Sequence, residues 1–148
     1  MASARKVIKD PFSFDALNKA FAGKLRKMTT TTEAFWFRCS DGPQCRFELF
    51  EGFRHPERQH YLLTVSKTTK ARPWQSAHQY GLAADFAVAV YEDGEFTRWS
   101  WAENAPWPRL KVEALTVGLD IPIRWDFGHV EDPVFRLVKA QLLEAGLS

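Results

Sequence analysis

The spacing of apolar positions changes several times along the chain. Residues 83–90 read Ala-Ala-Asp-Phe-Ala-Val-Ala-Val, an almost unbroken apolar run that stops at Glu92, Asp93 and Gly94. A run of that length bounded by turn residues predicts a buried strand over 82–90, entered through a turn at Gly81. Upstream, residues 46–53 alternate polar and apolar and predict another strand, and Phe35, Trp36 and Phe37 also have strand character. Asp41, Gly42 and Pro43 supply a turn between the two, so an antiparallel hairpin is expected.

Helical spacing marks four other segments. Phe14, Leu17, Phe21 and Leu25 recur at steps of three and four, predicting a helix over 11–27 that Ser13 caps and the threonines at 29–32 end as a polar linker. Pro56 opens a helix expected to reach about Val65. Leu110, Val112 and Leu115 mark a third over 108–117, closed by Gly118. Asp132 and Pro133 open a fourth that runs to 145. Residues 67–75 read as a polar loop, 95–108 as a Trp-rich irregular segment, and 121–125 as a short extended piece. Strands separated by loops and helices, without regular strand–helix alternation, indicate an α+β fold with a mainly antiparallel sheet. No repeat or linker divides the chain, so 1–148 is expected to be one domain.

Asp85 changes this picture, because a carboxylate inside an apolar run is costly without a partner for its charge. A divalent cation is one partner, and His78, just before the turn at Gly81, offers a second ligand. The other reading is that loop amides satisfy Asp85 and that His78 is an ordinary surface residue. If residues 125–131 form a short strand, alternation puts Phe127, His129 and Glu131 on one face. His129 then completes a set of two imidazoles and one carboxylate, the composition of an open catalytic zinc site. Asp126, three residues earlier, is placed to act as a general base. Arg54, at the end of the strand 46–53, is the first candidate for stabilising an oxyanion, and Arg58 the second. The plainer readings are a turn cap for Asp126 and a surface ion pair with Glu51 or Glu57 for Arg54. His55 and His60 are expected to be non-ligands.

Composition narrows the partners. The apolar share of 45% and charged share of 26% are those of an ordinary globule, and a net charge of +2 is too small to indicate nucleic acid. Six Trp and twelve Phe suit an aromatic core or a ring-lined groove; Trp74, Trp99, Trp101 and Trp107 could form walls for sugar or peptide, with core packing the expected role for most of them. Cys39 and Cys45 flank the turn at 41–43 and are expected to be free thiols in a reducing cytosol, a disulfide being the alternative after export. No signal peptide and no stretch of membrane-spanning length is visible. The absence of a Pro-Cys-x-x-Cys element argues against a deaminase-type zinc site.

The pattern Ser76-x-His78-x-x-Gly81-x-Ala83-x-Asp85, followed by Asp126-x-x-His129, resembles the zinc D-alanyl-D-alanine carboxypeptidase and L-alanyl-D-glutamate endopeptidase family, which includes VanY-like peptidases and many phage endolysins. Glu51-Gly52-Phe53-Arg54 with Arg58 and Gln59 is similar to a segment of the endolysin branch. The resemblance covers residues 46–131. It implies a small α+β domain, one zinc ion on His78, Asp85 and His129, Asp126 as general base and Arg54 as partner of the substrate carbonyl. Ser76, Arg58, Gln59 and Tyr80 are the candidate substrate-side residues, Ser76 chiefly as a loop-shaping hydrogen-bond partner and Tyr80 at the rim. Asp126, where carboxypeptidase branches carry Glu, resembles the endopeptidases; Gly128 departs from the Pro of the endolysin branch. The function expected is hydrolysis of the peptidoglycan stem peptide at L-Ala–D-Glu by a monomer without a separate wall-binding domain. Synthesis in the host cytoplasm and release through a holin to the cell wall are expected with it. D-Ala-D-Ala carboxypeptidase or dipeptidase activity, and a non-catalytic zinc-binding module, are the alternatives.

Overall fold

The computed structural model describes residues 17–39, 42–54, 56–67 and 76–146. The expected Ser13 cap, Phe14, Asp41, His55, Trp74 and most of the loop 67–75 lie outside the described residues. In chain order the elements are α1 (Lys19–Ala34), β1 (Phe37–Arg38), β2 (Gln44–Glu51), α2 (Pro56–Thr64), a 3-10 turn (Ala77–Tyr80), β3 (Ala83–Glu92), β4 (Glu95–Ser100), α3 (Trp107–Thr116), β5 (His129–Glu131) and α4 (Phe135–Glu144). The fold is α+β with an antiparallel sheet, as the spacing of apolar positions predicts.

Strand β3 is the centre of the sheet. β2 runs antiparallel along one edge, from Gln44↔Tyr91 to Glu51↔Asp85. The other edge is divided: β4 pairs with Val88 to Glu92, and β5 pairs with Ala83 to Asp85. One face of β3 presents Ala84, Phe86, Val88 and Val90 to the core, where Phe21, Leu25, Met28, Phe47 and Leu110 are also fully or almost fully buried. Alternation puts Asp85, Ala87, Ala89 and Tyr91 on the opposite face.

Several elements differ from the sequence expectation, each for a local reason. α1 starts after Asn18, whose Oδ1 accepts from the amides of Ala20 and Phe21. It continues through the threonines, because the hydroxyls of Thr29, Thr30, Thr31 and Thr32 donate to carbonyls three or four residues back and so stay compatible with helix. The segment after Gly94 is a strand rather than irregular. Asp93 and Gly94 both have positive φ, 52° and 78°, which makes a two-residue hairpin turn whose twist matches the flanking strands. Of the stretch 125–131 only the last three residues are strand, and 121–125 contributes no strand. α4 begins at Phe135, two residues later than its Pro133 suggests, while Asp132 still accepts from the Val134 amide and holds Lys24 of α1 at 3.2 Å.

Cys39 and Cys45 are joined in a disulfide, against the expectation of free thiols. The β1–β2 hairpin pairs Phe37 with Cys45 and brings the two cysteine Cα atoms to 6.0 Å, within the range a disulfide spans.

Gly128 sits where β5 approaches the middle of β3. Its carbonyl accepts from the Phe86 amide at 2.8 Å, and a Cβ built there overlaps the Phe86 carbonyl oxygen. The backbone contact therefore admits neither a side chain nor the proline of the endolysin branch. Gly128→Ala is expected to destabilise the fold by about 3 kcal/mol or more, read as a lower denaturation midpoint with an unchanged slope.

Candidate metal centre

Pairing across the sheet makes the site. Asp85 lies opposite Glu51 of β2 on one side and His129 of β5 on the other, so the three residues form one row on the face away from the core. A β-bulge between Leu49 and Glu51 brings Glu51 into this row. His129 Nδ1 stands 3.4 Å from Asp85 Oδ1.

His78 reaches the same carboxylate from the 3-10 turn. Ser76 Oγ accepts from the His78 amide at 3.3 Å and caps that turn, and Gly81 ends it with φ of 68°. Gly81 also packs on the backbone of Leu17 and Asn18 so closely that a Cβ would lie 2.8 Å from the Asn18 nitrogen. His78 Nε2 is 3.2 Å from Asp85 Oδ1, and the two imidazoles meet edge to face with centroids 5.0 Å apart. One donor atom from each of His78, Asp85 and His129 falls within 4.8 Å of the others.

Both rings are held through their remaining nitrogens. His78 Nδ1 lies 2.8 Å from the Gly52 carbonyl, which can only accept, so that nitrogen carries the hydrogen and Nε2 is left with its lone pair. His129 Nε2 lies 2.9 Å from Glu131 Oε1, and the same logic leaves Nδ1 as the ligand atom. A carboxylate or carbonyl behind each imidazole is the usual support of a metal-binding histidine. The donor chemistry therefore fits a divalent ion: two imidazole nitrogens, a carboxylate oxygen, and both tautomers fixed from behind.

The electrostatics agree with a cation site. Burial alone would raise the Asp85 carboxyl, but the charges and hydrogen bonds of His78 and His129 outweigh it and hold the group well below the usual range. Burial opposes the charge on His129 too, and here Asp85 and Glu131 prevail, lifting the imidazole to about 9. A proton on His129 thus meets the Asp85 charge at the position a cation could take. Asp126 behaves differently. Withdrawal from solvent on its cluster side and the neighbouring Asp85 charge raise it, and His129, His78 and Arg54 pull back only in part. Its side chain remains open to solvent on the other side.

The other sequence candidates are arranged behind the site. Arg54 is buried and commits its Nε to Glu51, its Nη1 to Gln59 and its Nη2 to Asp85 Oδ2, at 3.1, 2.9 and 3.2 Å. Arg58 bonds the same Glu51 carboxylate, and Gln59 is fully buried beneath Arg54. Tyr80 is half-buried with its ring 5.8 Å from that of Phe135. His60 lies exposed on α2, and His78 and His129 are the histidines of the site among the described residues. Glu131 and the Gly52 carbonyl were not singled out as supports of the ligands, although Glu131 follows His129 by two on a strand and so shares its face. If the site holds a divalent ion, Glu131→Ala is expected to weaken its binding by about 10–100-fold in a calorimetric titration while the fold is kept.

No family model matches the chain, and no curated protein matches it either.

Proposed function

We propose that the chain is a zinc-dependent peptidase that hydrolyses the stem peptide of peptidoglycan, at the L-Ala–D-Glu bond. The observation that carries this reading is the convergence of His78, Asp85 and His129, with their supports, beside an Asp126 whose affinity for protons is raised. Two imidazoles and one carboxylate leave room in a four-coordinate zinc shell for solvent or substrate. Zinc bound there would supply Lewis-acid polarisation of the scissile carbonyl and acidify water. Asp126 takes a proton from the attacking water and delivers it to the departing amine, a task that suits a carboxyl group held above its ordinary value. Arg54 orients Asp85 through Nη2, and the positive charge it holds behind the site would favour the oxyanion that develops on a substrate carbonyl. The Cys39–Cys45 disulfide is of a kind that persists in oxidising surroundings, which supports work outside the cytoplasm.

Purified protein incubated with peptidoglycan, with and without chelator, tests the reading through the new termini found by mass spectrometry. Metal-dependent release of N-terminal D-Glu is the expected result. Released D-Ala would move the assignment to a carboxypeptidase, and the absence of any metal-dependent product would leave a binding module.

A further inference from the structure

The face of the sheet that carries Asp85 does not end at the metal centre. Along β3 the same face continues through Ala87 and Ala89 to Tyr91, and both alanines are fully buried under side chains from neighbouring strands. Phe50 of β2 stands edge-on to Trp99 and Trp101, with ring centroids 5.3 and 5.0 Å away, and Phe96 packs on Trp99 at 5.1 Å. This packing fixes the rings and still leaves Trp101 54% and Phe96 46% exposed. The far margin is polar: Arg46 lies 4.7 Å from the Trp36 ring centroid and 5.2 Å from that of Tyr91, and bonds Glu48, which the Tyr91 hydroxyl also engages.

We propose that this aromatic platform binds the glycan strand of the substrate, a chain of N-acetylated amino sugars, alongside the peptide held at the metal centre. The inference rests on the reading of the site as a stem-peptide hydrolase. A pyranose ring has a flat C–H face and a rim of hydroxyls, which calls for fixed aromatic rings beside hydrogen-bonding groups. The electron-rich ring faces attract the polarised C–H bonds, and Glu48 and Arg46 supply the polar margin. Position supports this occupant. Two strand residues advance about 7 Å, so the platform opposite Ala87 and Ala89 begins about 7 Å from Asp85 and reaches about 14 Å. The first residue of a stem peptide is amide-linked to the lactyl group of the amino sugar, which puts L-Ala–D-Glu one residue from the glycan. The terminal D-Ala–D-Ala bond lies four residues from the sugar, about 14 Å in an extended stem. A sugar on the near rings of the platform therefore favours the proximal bond.

The test uses full-length protein and two probes. Chitotetraose, an N-acetylglucosamine tetramer, is titrated against intrinsic tryptophan fluorescence with the protein both zinc-loaded and chelated. Hydrolysis is compared between glycan-bearing peptidoglycan fragments and a sugar-free stem peptide. Wild-type protein is expected to give a saturable response to chitotetraose that does not require zinc, and Trp101→Ala to weaken it at least tenfold. In the same variant kcat/KM should fall at least tenfold on glycan-bearing fragments and several-fold less on the sugar-free peptide, with Trp101→Phe recovering most of the loss. A wild-type protein indifferent to chitotetraose overturns the proposal, as do equal losses on both substrates. Concentration-dependent self-association that Trp101→Ala abolishes, without a sugar response, would assign the patch to a second copy of the chain and overturn it too. Because the sugar titration needs neither metal nor turnover, it scores the platform even if no peptide bond is cut.

Discussion

Asp126→Ala is expected to keep its zinc and lose its turnover, with kcat on a stem-peptide substrate falling by about 10²–10⁴-fold, the usual contribution of a positioned general base. Asp126 lies in a turn, its amide donating to Ile123 and its carbonyl accepting from His129, so an alanine there leaves the backbone that presents His129 undisturbed. Its carboxylate is not among the three donors that converge, and zinc should titrate into the variant with wild-type stoichiometry. His129→Ala, by contrast, should lose metal and activity together. Parallel measurement of bound zinc and product formation separates the two roles, and full activity in Asp126→Ala would remove that residue from the mechanism.

The second large effect is on pH. His129 is lifted to about 9 in the metal-free protein, so at neutral pH zinc must displace a proton from it. Apparent zinc affinity should therefore rise about tenfold from pH 7 to 8 and about 50-fold from pH 7 to 9, levelling off above that. Calorimetry in buffers of different ionisation enthalpy should detect close to one proton released per zinc at pH 7. The same linkage acts on folding. A histidine whose folded value exceeds its ordinary 6.5 stabilises the protein fully below pH 6.5, and that contribution disappears as pH rises through about 9. For chelated protein the loss should amount to roughly 3 kcal/mol. Zinc-loaded protein should be almost insensitive over the same window, because the ion has already removed the proton. A flat zinc affinity from pH 7 to 9 would contradict the charge arrangement described here.

The parts of the fold that could be read from sequence are those where burial imposes a period. β3 is apolar on both faces over most of its length and stood out as a run; α3 lies where expected, but of its expected stripe only Leu110 is buried, Val112 and Leu115 being exposed and Trp107 and Ala114 facing the core in their place. The cluster of His78, Asp85 and His129 was legible for a related reason, since Asp85 breaks that run with a charge needing an answer. β4 was hidden because it is an edge strand whose side chains from Glu95 to Arg98 are all exposed, so no inside-outside alternation is imposed on it. Its real signal was the Asp93-Gly94 turn. The threonines of α1 look like a helix breaker on propensity, yet their hydroxyls find helix carbonyls and packing buries Thr32. Of the assembly of Glu51, Arg54 and Gln59 the sequence offered the Glu51–Arg54 pair only as a surface contact; that it is buried in the row beside Asp85 could not be read, because a β-bulge decides which way Glu51 faces, and a bulge shifts register without leaving a mark in the alternation.

The short β5 has a consequence for how the protein comes apart. Three residues of pairing, continued by the Asp120↔Glu131 bridge, hold the chain around His129 against β3, while α3 is anchored separately through Trp107, Leu110 and Ala114 in the core. An ion held between Asp85 and His129 would be a removable cross-link between β3 and β5, limiting the freedom that the stretch before β5 gains on opening. Chelation should then expose the stretch between α3 and β5 to proteases before the longer β2–β3 pairing yields, so that on the proposed function metal supply would govern the lifetime of the protein as well as its chemistry.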